Sequence, residues 1–173
     1  MRIAQSAPQL PPNVEVFHEG EGTVQGRVGN LLVGVTRQTG GGMENAAANH
    51  QRMLELYPAG FAYLAVAAGG LSMPSPEIRQ KMQQTAARFG QHYLCHAVVL
   101  EGEGLWLSSM RMVASTMMVA VPKDHARRIF ATARDATRWA HTESGREAHF
   151  DVAEANAAIE DFKARLGPQQ ARG

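Results

Sequence analysis

The chain has 173 residues, 45% hydrophobic and 19% charged, enough to bury one sizeable core and too apolar for a disordered protein. Seventeen Lys and Arg against 16 Asp and Glu leave a formal net charge of +1, so no global attraction draws it to nucleic acid or to an anionic membrane. Cys95 is the only cysteine, which excludes an intrachain disulfide framework and makes the reducing cytoplasm the expected compartment.

The first residues hold Gln, Ser and Pro where a signal peptide needs an apolar run, and 1–12 reads as a flexible arm. Val14 to His18 alternates apolar with polar. Thr23 to Thr36 is rich in β-branched residues broken by Gly26, Gly34 and a tight-turn pair, Gly29-Asn30. Two strands joined by turns are expected over this stretch. After Gly40-Gly41-Gly42, the residues Met43, Ala46, Ala47, His50, Met53, Leu54 and Tyr57 recur at helical spacing, and Pro58 and Gly60 close that helix.

Phe61 to Ala68 is short and continuously apolar, as a central parallel strand covered on both faces should be. Ser75, Pro76 and Glu77 form a helix start, and the helix should run to Phe89 with Gly90 as its stop. Tyr93 to Leu100 is a second core strand. Leu105 to Val121 is an apolar helix ended by Pro122; its polar interruptions at Ser108, Ser109, Arg111, Ser115 and Thr116 exclude a membrane span. A short strand at Arg127 to Thr132, a helix from Ala133 to Thr142 and an amphipathic helix from Asp151 to Leu166 complete the chain, with 167–173 as a flexible tail.

Strands separated by helix-length segments imply right-handed crossovers and a mixed, mainly parallel sheet in one α/β domain over 13–166. With its initial strand pair followed by alternating helices and strands over 14–142, the chain resembles the STAS domain of bacterial anti-sigma-factor antagonists; the helix at 151–166 is then an addition. The resemblance is one of topology, with a looser echo where Ile129-Phe130-Ala131-Thr132 precedes a helix containing Ala136 and Trp139. It implies a regulatory module, and it places a phosphorylatable serine in the segment holding Ser72 and Ser75. No aspartate precedes either serine, and Ser75 also fits a plain helix cap.

Gly20-Glu21-Gly22 and Gly102-Glu103-Gly104 lack the third glycine or lysine of nucleotide-binding loops and read as turns. His92, Cys95 and His96 lie close in sequence, but on a strand Cys95 points away from the face that His92 and His96 share. A buried thiol and hydrogen-bonded histidines are expected there; no metal site, cofactor or catalytic constellation is. The basic residues Lys123, Arg127, Arg128, Arg134 and Arg138 are matched by Asp124, Asp135 and Glu143, as on a solvated face, so no nucleic-acid partner is expected.

Met110, Met112, Met117 and Met118 spread over more of the 105–121 helix than one sheet face requires, so a second contact should cover them. That contact is either the C-terminal helix or a homodimer or partner interface. The leading functional expectation is thus a non-enzymatic module that binds a protein through the Leu71 to Arg79 segment or the Met-rich helix. The alternative is a small-ligand binder or an enzyme using the cleft at the C-terminal ends of the strands, near Gly69-Gly70 and Glu101 to Gly104.

Overall fold

The computed structural model describes residues 12–20, 22–37, 42–68, 73–102, 108–109, 111–112, 114–115 and 125–167. The fold is α/β, with six strands in one mixed sheet in sequential order: β1 (Val14–Gly20), β2 (Thr23–Val28), β3 (Leu31–Thr36), β4 (Phe61–Ala67), β5 (Tyr93–Leu100) and β6 (Ala126–Phe130). The first three strands form an antiparallel meander, and β3 to β6 run parallel. The helices are α1 (Met43–Leu56), α2 (Pro76–Phe89), α3 (Ala133–Ser144) and α4 (Val152–Arg165). Residues 108, 109, 111, 112, 114 and 115 are helical within the expected 105–121 helix, most of which lies outside the described residues.

The antiparallel start has three strands where two are expected from the sequence. Gly29-Asn30 does make a two-residue hairpin turn, with Val28 opposite Leu31, and Gly29 takes a left-handed φ of 53°. The turn is clamped from far along the chain. A side chain on Gly29 would collide with the His149 carbonyl, while the buried Asn30 side chain donates to Glu147 O at 2.7 Å and accepts from His149 N at 2.8 Å.

Local punctuation sets the helix ends. Ser75 caps α2, its hydroxyl accepting from Ile78 N at 3.3 Å with Pro76 in the first turn. Thr132 and Asp151 cap α3 and α4 by accepting from Asp135 N and Glu154 N. Gly42, the residue before α1, has no side chain to cap with and takes a φ of 72°.

Because each strand continues the sheet in one direction, right-handed crossovers put their helices on one face. On that face Met53 of α1 and Phe89 of α2 pack with Leu32, Phe61 and Tyr93, and Ala114 packs on Ala67 and Leu100. After β6 the chain turns under the sheet, and α3 and α4 cover the opposite face. Their Ala136, Ala140, Ala155, Ile159 and Phe162 meet rows of aliphatic residues, among them Val24, Val35, Val66 and Val99 in register across four strands. Gly26 is bare because Phe162 lies over it; a Cβ there would sit 2.7 Å from the Phe162 ring and 2.4 Å from Glu15 O.

Candidate functional site

The segment entering α2 stands at the carboxyl edge of the parallel strands. Ser75 is exposed and engaged as the cap, Met73 beside it is 48% exposed, and Pro74 is buried. Ser72 lies outside the described residues. Of the 14 residues of α2 only Phe89, the last, is buried. Ile78, Met82 and Ala86 recur on one stripe, half-buried, and the remainder of the first three turns presents Glu77, Arg79, Gln80, Lys81, Gln83 and Gln84 to solvent. A Glu77–Lys81 pair at 3.1 Å joins two of these along the helix. Among the four methionines of the sequence-predicted interface, Met112 is 72% exposed; Met110, Met117 and Met118 lie outside the described residues.

Beneath α1 lies a second assembly that the sequence does not announce. His50 of α1 packs against four rings: Phe61, Tyr63, Phe89 and Tyr93. Tyr63 stands beside His96 on the neighbouring strand, stacked with ring centroids 4.8 Å apart. Both histidines are buried and held neutral. Loss of hydration pushes His50 down to about 4, against a smaller pull upward from its bond to Ala46 O. The same burial pushes His96 down to about 3, helped by the nearby His50 and Arg127. Burial also raises Tyr63, to about 12, and Tyr93.

His50 Nδ1 lies 2.7 Å from Ala46 O; a carbonyl only accepts, so Nδ1 carries the proton and Nε2 presents a lone pair. Among the described residues His50 Nε2 and both ring nitrogens of His96 have no hydrogen-bond partner. Of the one or two hydrogen-bonded histidines expected at His92 and His96, His92 has a partner, Gln91 Nε2 at 3.2 Å from its Nε2, and His96 has none. The His50 and His96 rings are held by packing on other rings, which the Tyr63–His96 register and the landing of α1 create.

Cys95 and His96 face opposite sides of the sheet, as their alternation requires. The Cys95 thiol lies under α3, 3.7 Å from Ala140 O and 3.9 Å from Ser144 Oγ. Burial pushes it up to about 12, the Ser144 contact opposing and Glu143 adding to the shift, so it stays protonated. His92 sits in a short 3₁₀ turn at Gly90–His92. No group of three or more His, Cys, Asp or Glu able to hold a metal occurs among the described residues.

Just past the carboxyl end of β5 Glu101 pairs with Lys163 of α4 at 2.6 Å; of the strand-end cleft expected from the sequence, Gly69, Gly70, Glu103 and Gly104 lie outside the described residues. Of the basic residues, Arg138 lies 3.9 Å from Asp135 and Arg128 covers the Phe130 ring at 5.2 Å; Lys123 and Asp124 lie outside the described residues. No helix among the described residues is long and apolar enough to cross a membrane. No family model, curated protein or solved structure matches the chain.

Proposed function

We propose that the chain is a non-enzymatic regulatory module that docks a protein partner on the segment before α2 and on the exposed turns of that helix. The observation that carries the reading is the shallow seating of α2, a helix buried at Phe89 alone while α1, α3 and α4 bury four or five residues each. A helix with so little buried surface adds little to stability, and exposed Met73 at its entry is the type of adaptable apolar side chain that binding surfaces use. The STAS likeness belongs to this proposal: a serine caps the helix that follows a central strand, where an added phosphate would meet the positive helix end.

A photoreactive amino acid replacing Gln80, compared with one replacing the exposed Arg138 on α3, tests the reading in the native host. A discrete adduct from position 80, competed by excess unlabelled chain and absent from position 138, is the expected result. Identical adducts from both positions, or none from position 80, overturn it. Regulation by charge is read separately. Ser75→Asp keeps a good cap, so it should melt normally and weaken the position-80 adduct; an unchanged adduct ends the regulatory part.

A further inference from the structure

Two buried histidines meet in the layer beneath α1 and α2, and both lie against the same two tyrosines. The His50 ring centroid stands 4.8 Å from that of Tyr63 and 5.7 Å from that of Tyr93, and the His96 centroid stands 4.8 Å and 5.5 Å from the same rings. At 2% and 9% exposure, a proton added to either imidazole in place would create a charge with almost no water around it.

Among the described residues no carboxylate answers such a charge. Strands β2 to β6 contain no Asp or Glu, and the three carboxylates of α1 and α2, Glu44, Glu55 and Glu77, are exposed. On β1, Glu15 is engaged by Arg27 and Arg52, and Glu19 by Arg165. Tyr63 and Tyr93 stay protonated because burial raises both. The charges nearby are positive. Arg127 of β6 stands opposite His96 and His50 lies close to it, both disfavouring a proton there, while Arg88 covers the Phe89 ring that touches His50. The described turns of the 105–121 helix add only Arg111, which is exposed.

The two sides of the sheet are seated unequally. Only Phe89 of α2 is buried, and of the four residues that α1 buries two, Asn49 and His50, are polar. On the far side α3 and α4 pack on Leu64, Val66, Ala97 and Val99, which alternate with Tyr63 and His96 along β4 and β5. We propose that the His50–His96 cluster is an acid switch: protonation of the two rings lifts α1 and α2 from the sheet while the strands stay packed on α3 and α4. Opening hydrates both imidazolium ions and carries His50 away from His96 and Arg127. The switch needs no partner and stands or falls independently of the docking proposal.

Hydrogen exchange of the full chain, read amide by amide from about pH 7.5 to about pH 3.5 and corrected for the intrinsic pH dependence of exchange, tests the switch. His50 and His96 are held at about 4 and about 3 when closed, against 6.5 when open, so the open form takes up the protons. Between pH 7.5 and pH 5 the opening equilibrium of α1 and α2 should rise about thirtyfold for each histidine, or about a thousandfold for both. Because α1 and α2 are the more weakly seated, a pH window should appear in which they have lost protection while α3, α4 and the strands retain it. His50→Leu and His96→Leu should each cut the rise to about thirtyfold. Loss of protection in both helix pairs at the same pH, or no fall in α1 and α2 between pH 7.5 and pH 5, overturns the switch on the native chain alone; a full thousandfold rise in either folded variant overturns it as well.

Discussion

The two faces of the sheet are built from different chemistry. Under α3 and α4 the sheet presents Val, Leu and Ala in register, the helices answer with Ala, Ile and Phe, and Phe162 fits over a glycine with no space to spare. Each large side chain buried there adds roughly 1.5–3 kcal/mol. Under α1 and α2 the layer is aromatic and polar, three imidazole nitrogens lack partners, one strand residue is bare without a steric reason, and Phe89 is the one buried residue of α2. A buried unpaired polar group spends stability. The aliphatic face accordingly carries the larger share of close apolar packing, and the aromatic face holds the unpartnered imidazole nitrogens.

The harshest test of that division is Val66→Asp on the aliphatic face, where Val66 is 1% exposed in the middle of the valine row. An unpaired buried carboxylate costs several kcal/mol, comparable with the stability of a whole domain, so the variant should be insoluble or lack a cooperative melt.

Acid should attack the other face. The folded pKa values of His50 and His96 lie near 4 and 3, below the unfolded value of 6.5, so the unfolded chain binds the extra protons. Their stabilising contribution is full above pH 6.5 and drains away as pH falls toward 4 and 3, a loss on the order of several kcal/mol. His96→Leu should flatten the pH dependence of urea midpoints between 6.5 and 4. At pH 7.5 it should be no less stable than the native chain, because two unpartnered nitrogens are gone. A slope identical to that of the native chain would show that His96 is not the buried base described.

A matched pair of glycine substitutions sharpens the contrast further. Gly26→Ala forces a Cβ against backbone and the Phe162 ring and should cost about 1–3 kcal/mol, whereas Gly34→Ala should be neutral or stabilise by up to about 1 kcal/mol. Equal melting shifts would erase the distinction between the faces. The smallest effect is expected at the docking segment, where Ser75→Ala removes a cap bond at an exposed helix start and should cost about 0.5–2 kcal/mol.

Element order was legible because punctuation is local. Pro58 and Gly60 stop α1, Ser75 with Pro76 starts α2, and Gly90 ends it, so these helices stand within a residue or so of their sequence-predicted spans. The third strand of the meander was hidden because Gly26 and Gly34 read as breaks within one glycine-rich stretch. Both lie inside strands, Gly26 for a reason that comes from far along the chain, the Phe162 ring over it, and Gly34 with open space beside it. The separation of Cys95 from His96 followed from strand alternation alone. The gathering of His50, Tyr63 and His96 did not, since it depends on which strand lies beside which and where α1 comes down.

Timing of folding during synthesis follows from the clamp on Gly29-Asn30. The turn sits in the first fifth of the chain, yet its buried amide is satisfied only by Glu147 and His149, 117 and 119 residues later. Until that stretch has left the ribosome the Asn30 amide lacks both the partners that hold the turn and the chain that packs over it, and such distant contacts are slow to close. A chain cut after Ser144 should therefore exchange the amide hydrogens of β2 and β3 far faster than the full chain, and protection should return only once the last loop arrives. The meander made first is, on this account, completed last.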